Sequence, residues 1–303
     1  MNRTRLFVAS CLALIATSMA FSIRADIIPA LERDFGLTAT QMGEVAGPGL
    51  WGFAITIVLG GYLVDLIGMS RVFAFAFMGH IAGVVLTIFA GGYWSLYTGT
   101  LLIGLANGCV EAVINPLVAT LNPDNKTKHL NRLHAWWPGG LVIGGLLGFM
   151  LTKMMGLDLA TASIAQISLG WKIKMAFILV PTAIYGYLLL GQKFPQTERV
   201  ASKIPFSEML KESTRPLFLL FMFLMLLTAA TELGPDQWVG NLLQNMVGIQ
   251  GILLLIYTAG IMFVLRNYFA GSLVSAFGPV GLLTFASILS CVGLYSLSYA
   301  GTA

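Results

Sequence analysis

Long apolar runs, each near the roughly 20 residues that a helix needs to cross hydrocarbon, alternate along this chain with short polar connections. They predict nine helices, over residues 6–27, 44–66, 72–92, 94–121, 135–155, 173–190, 217–232, 251–270 and 280–299. Barrel strands would need short alternating segments separated by turns, whereas these runs are continuous. The pattern predicts an all-α integral membrane protein.

Polar positions inside the apolar runs carry the candidate chemistry. Asn107, Glu111 and Asn115 stand at i, i+4 and i+8 of the fourth run, and so on one slowly drifting helix face. A carboxylate at that depth is costly and is kept mainly where it meets a cavity or a partner; a stripe that only glues two helices together needs hydrogen-bonding side chains but no acid. Ser18, Ser22 and Asp26 repeat the spacing on the first run, with Arg24 two residues before the acid. Arg24 and Asp26 either mark the water boundary or belong to a working face, and spacing alone leaves both open. Thr228, Glu232 and Asp236 form a third such series, interrupted by Gly234 and Pro235 and followed by Trp238. That series is either a broken helix at a substrate site or an interfacial helix end. Gly140, Gly144 and Gly148 make a small-residue stripe on the fifth run, of the kind that lets helices approach closely.

Composition agrees with a bilayer as solvent: 57% of residues are hydrophobic, 10% are charged and the mean hydropathy is +0.84. The net charge of +4 does not point to nucleic acid, because the basic residues sit in short connections and report orientation. With the amino terminus cytoplasmic, Arg3, Arg5, Arg71, Lys126, Lys128, Arg132 and the cations of 193–215 fall inside, against Arg24, Arg33, Lys153, Lys172 and Lys174 outside. The start resembles a signal peptide, but more membrane segments follow it, so it reads as a retained helix. Cys11, Cys109 and Cys291 have no metal or disulfide spacing and read as small core residues. His129 and His134, with no acid or thiol beside them, make a poor metal site, and they read with Trp136 and Trp137 as a basic loop and aromatic anchor. His80 reads as a satisfied polar contact. No nucleophile with a paired base and no phosphate-binding glycine loop is present, so an enzyme is not expected.

The polar stretch 193–215 divides the chain into a six-helix bundle, 1–192, and a partial bundle of three helices, 216–303. Residues 61–68 and 271–278 share glycine, leucine, valine and glycine in register, at Gly61, Leu63, Val64, Gly68 and Gly271, Leu273, Val274, Gly278. The second copy lies six helices after the first, as a duplicated helix set would place it.

Gly61, Leu63, Asp65, Gly68 and Arg71 resemble the loop signature of the major facilitator superfamily. The match is incomplete, since Leu66, Met69 and Ser70 stand where that signature has charged or other residues. The resemblance implies a latch between two halves, with Asp65 capping a helix end or pairing with Arg71. A narrower likeness is to the fucose–proton symporter branch, through Gly108, Glu111, Asn115 and Pro116 in the fourth helix, Leu130 and Asn131 before the fifth, and Asp26, Pro29, Phe35 and Thr38 around the end of the first. It implies proton coupling at Asp26 and Glu111 and a sugar substrate held by residues such as Arg24, Asn107, Glu111, Asn115, Glu232 and Trp238.

The expectation is therefore a multi-pass transporter of a cell or inner membrane, working by alternating access on a proton gradient, with no cofactor and no metal. Sodium coupling or an anionic solute would fit the same side chains. Six plus six helices would need three more spans after Ala303, completing a monomer. A chain ending there would instead be a non-transporting binder, a sensor or an inactive fragment.

Overall fold

A computed structural model of the chain describes residues 1–157, 161–228 and 250–299. The helices are α1 Arg3–Phe35, α2 Ala39–Ala46, α3 Pro48–Ile67, α4 Met69–Ile88, α5 Tyr93–Leu121, α6 Lys126–His134, α7 Trp136–Met154, α8 Ile164–Ala176, α9 Leu179–Leu189, α10 Glu198–Ala201 and α11 Phe206–Ser213. Beyond the linker come α12 Pro216–Thr228, α13 Gly251–Val264, a π-helical turn Leu265–Phe269, and α14 Ala270–Tyr299. Among the described residues, seven helical stretches are long and apolar enough to cross a membrane, and an eighth results if Gly271–Gly278 and Val280–Ser296, bent by 102°, are one span. Side chains such as Val58, Leu66, Phe75, Met78 and Phe89 point outward, as they do where lipid is the solvent.

α1 is the central post. It buries Leu6, Leu14, Ile23 and Ile27 among α5, α7, α8 and α9, as expected of a helix packed on several sides. The Asn2 side chain caps its start by accepting from the Arg5 N–H, and Gly36, at φ 61°, ends it in the left-handed conformation that glycine adopts without strain. At 1.5 Å per residue α1 is about 50 Å long, well beyond the end expected at residue 27. Arg24 and Asp26 therefore lie within the helix, more than two turns before its end.

α8 also departs from expectation. It begins at Ile164, nine residues before the predicted start, because Ser163 and Gln166 form a reciprocal capping box. Trp171, which lies before the predicted start, and Lys174, counted from sequence among the outer cations, are thus helical and buried, at 1% and 6% exposure. Trp171 donates its indole N–H to Asp34 at 2.7 Å, tying α8 to the end of α1.

The internal repeat has a structural counterpart. Gly68 joins α3 to α4 at φ 89°, ψ 152°, and Gly278 breaks α14 at φ 67°, ψ 163°. Both take a backbone conformation essentially confined to glycine, at equivalent places in the two copies.

α7 lies between the two bundles and presents glycines in two directions. A Cβ at Gly140 would meet Ser18 of α1 at 1.9 Å, and one at Gly145 would meet Ile256 of α13 at 2.8 Å. Close approach on both sides is what the absent side chains permit.

Candidate functional site

The fourth predicted helix is α5, and its glycines set the depth of its acid. A Cβ at Gly104 would meet the Pro48 carbonyl at 2.7 Å, and one at Gly108 the Phe53 carbonyl at 2.4 Å, so α3 lies directly on α5 just before Glu111. The polar stripe then divides. Asn107 is fully buried and its Oδ1 meets His80 Nε2 at 2.7 Å, while His80 Nδ1 meets the Tyr185 hydroxyl at 2.9 Å. His80 is thus the satisfied polar contact expected of it. Four residues on, Glu111 Oε2 accepts from Asn115 Nδ2 at 3.1 Å, and Asn115 Oδ1 meets His134 Nε2 at 2.7 Å. A helix turns about 40° past a full circle every four residues, so Asn107 faces α4 and α9 while Glu111 and Asn115 face the corner between α6 and α7. Glu111 and Asn115 are brought together; Asn107 is turned away from them. His134, read as part of a loop, is the third member of the Glu111 group.

The second stripe meets the glycine stripe. Ser18, Ser22 and Asp26 lie against Gly140, Gly144 and Gly148, at 1.9, 2.3 and 2.7 Å from the Cβ positions those glycines lack. This face of α1 is a packing seam, closed at its outer end by an ion pair. Lys174 Nζ donates to Asp26 Oδ2 at 2.5 Å and to Thr152 Oγ1 at 2.7 Å. Sequence reasoning counted Lys174 among the outer cations; the Ser163–Gln166 spacing, which starts α8 earlier and sets Lys174 well inside it, was the available signal.

Arg24, on the same helix, turns the other way. Its guanidinium packs against Gly49 of α3 and 4.9 Å from the centre of the Phe21 ring. Among the described residues it has no carboxylate within ion-pair distance and no side-chain hydrogen bond. Phe21, Phe53 and Trp137 form an aromatic cluster beside it, with ring centres 5.3 to 6.4 Å apart, and Ala259 of α13 joins the apolar group around Phe21. This cluster was not legible as a unit, since its members come from three helices with no shared spacing.

The signature loop pairs differently from the expectation. Asp65 accepts from Thr197 Oγ1 and from Arg199 Nε, each at 2.5 Å, while Arg71 is exposed. Through Asp65 the linker is tied to the end of α3. Lys126 at the start of α6 contacts Glu198 in the same linker segment. Together they enclose a cleft of about 340 Å³ lined by Gly61, Asp65, Ala112, Pro116, Thr197 and Arg199. Gly61 leaves one wall of it open, and Gly68 supplies the turn described above. Glu232, Asp236 and Trp238 lie outside the described residues. No group of three or more His, Cys, Asp or Glu suited to a metal occurs among the described residues.

The fold resembles solved transporters. The crystal structure of a D-xylose–proton symporter superposes with a TM-score of 0.64 at 12% identity, covering 91% of this chain and 69% of that one. Among curated proteins, the Hexuronate transporter of Bacillus subtilis is 27% identical over 225 residues, 67% of this chain and 47% of the relative. The Arabidopsis thaliana "Probable anion transporter 6, chloroplastic" is 26% identical over 152 residues, 50% of this chain and 29% of the relative. The chain spans less than half the length of these curated relatives. A sequence profile described as Major Facilitator Superfamily matches residues 6–303, and with the all-helical fold and the glycine-turned signature loop this makes the chain a member of the Major Facilitator Superfamily, a family of transporters and not of enzymes.

Proposed function

We propose that the chain moves a small polar solute, of the sugar class, across a cell membrane by alternating access, with a proton as the coupling ion. The observation that carries this reading is the contrast between the two buried acids. Asp26 is held by Lys174, whereas Glu111 has an amide partner only and no cation within ion-pair distance among the described residues. A membrane-embedded carboxyl group without a fixed counter-charge can change its proton occupancy as the site opens to one side and then the other. Differential affinity of the two states then links proton and solute. Asp26, through its pair with Lys174, is the second candidate in that cycle.

The full-length product of the gene, reconstituted in vesicles with an imposed pH gradient, tests the reading. Glu111→Gln abolishes gradient-driven accumulation and leaves solute counterflow measurable. Unchanged pH-dependent accumulation in that variant overturns it. The basic residues of the short connections support a cytoplasmic amino terminus, and a tag accessible only from the cytoplasmic side is the expected result.

A second reading is favoured by Arg24. A guanidinium with no ion-pair partner among the described residues, beside an aromatic cluster, suits a sugar acid, with the carboxylate on Arg24 and the apolar ring face on Phe21, Phe53 or Trp137. The name of the Hexuronate transporter supports the same solute class. If a uronate is carried, Arg24→Gln weakens its uptake by about 10- to 100-fold while a neutral sugar is affected far less.

A further inference from the structure

Glu111 is connected to the second bundle by a continuous set of contacts. Asn115 Nδ2 donates to Glu111 Oε2 and, at 3.0 Å, to the Glu111 carbonyl, while its Oδ1 meets His134 Nε2. His134 ends α6, and its carbonyl accepts from Arg266 Nη1 at 3.3 Å. Arg266 lies in the π-helical turn that follows α13, a local rewinding often found where helices carry function.

The amide of Asn115 gives this arrangement a direction. A side-chain amide can present oxygen or nitrogen to either neighbour, and the choice follows from the hydrogen bonds it makes. Toward the ionised Glu111 carboxylate and the Glu111 carbonyl it presents N–H, since an amide oxygen against either would repel. The oxygen therefore faces His134, which must supply an N–H from Nε2. Remove that donor and the amide keeps its contact to the Glu111 carbonyl but loses the partner that fixes its oxygen end, and with it the rotation that aims Nδ2 at Glu111 Oε2.

We propose that His134 is a positioning residue for Glu111: by donating to Asn115 it fixes the carboxyl group, and Arg266 makes that placement depend on contact between the bundles. The inference rests on the proton-coupled reading of Glu111. When the bundles separate at this end, the Arg266 contact to the α6–α7 corner breaks, and the Glu111 group loses its brace. Coupling then has a physical route from bundle position to the acid, through two side chains and one backbone carbonyl.

The test uses the full-length protein in vesicles, reading gradient-driven accumulation and counterflow for each variant. His134→Leu loses accumulation by about 10-fold or more while counterflow stays within about threefold of the parent, in the range of measured couplings. His134→Gln, whose amide can still donate to Asn115, recovers at least half of the accumulation. Arg266→Gln gives a loss between the two. Retained accumulation in His134→Leu overturns the proposal, as does equal loss of accumulation and counterflow in both His134 variants, which marks a merely structural role. Should His134→Leu not fold, His134→Ala reads the same link and must uncouple in the same way. Glu111→Gln separates the two levels: if it retains driven accumulation, the proton-coupled reading fails; if it uncouples while His134→Leu does not, only this inference fails.

Discussion

Lys174 on α8 reaches across to Asp26 on α1 with Nζ 2.5 Å from Oδ2, and the two side chains are only 7% and 13% exposed. Buried pairs of this kind are far more sensitive to loss of one partner than to loss of both, because a single survivor is an uncompensated charge. Lys174→Met is expected to destabilise the folded chain by about 3 kcal/mol, and the double variant Asp26→Leu with Lys174→Met to lie within about 1 kcal/mol of the parent. Thermal unfolding in detergent measures both. Equal losses in the single and double variants would remove the pair from the account of α1 and α8 packing.

The seam between α1 and α7 predicts a compensating pair. A Cβ at Gly144 would sit 2.3 Å from Ser22 Oγ and 3.2 Å from the Met19 backbone. Gly144→Ala costs about 1–3 kcal/mol through overpacking, and adding Ser22→Ala recovers much of it, since the nearest obstacle is a removable hydroxyl. No recovery in the double variant would mean that the helices do not meet in this register.

Gly68 and Gly61 are seven residues apart and should respond oppositely to alanine. Neither has an atom within 4 Å of an added Cβ, but Gly68 has φ 89° and Gly61 is inside α3. Gly68→Ala therefore costs about 1–3 kcal/mol in backbone strain, whereas Gly61→Ala stabilises by about 0.5–1 kcal/mol through helix propensity. Similar changes in unfolding temperature for the two would contradict the turn described at Gly68.

The Asp65 contacts place the linker, so their loss should expose it. Arg199 also donates to the Ile204 carbonyl at 2.8 Å, which makes it the peg of the segment. Arg199→Ala is expected to speed tryptic cleavage at Lys193 or Lys203 by about 10-fold, from the loss of hydrogen bonds to a charged group. Arg71→Ala should leave the rate unchanged; acceleration by Arg71→Ala instead would restore the pairing that the loop signature suggested.

The sequence was most informative where the solvent dictates the pattern. Hydrocarbon requires long apolar helices whose backbone groups are satisfied internally, so the helix order and the membrane setting were legible from residue types. The same holds for glycine at 68 and 278, because a turn between helices leaves few alternatives to it. Helix ends were less certain. α1 ran past its predicted end at residue 27 and α8 began before its predicted start at residue 173; of the charged residues near those limits, Asp26 pairs with Lys174 inside the bundle and Arg24 packs on Phe21.

By itself, then, the sequence determined that this is a helical membrane protein with acids on helix faces, since composition and period are local properties of the chain. Partnership was decided only by the tertiary structure. Asp26 against Lys174 and Asp65 against Arg199 are contacts between elements more than 130 residues apart in sequence, and Glu111 is joined through Asn115 to His134 at the end of α6. Periodicity gives the direction of a side chain on its own helix, but the rotation and depth of the facing helix are set by close approach along Gly104, Gly108, Gly140 and Gly144, and a spacing rule within one segment contains no information about that.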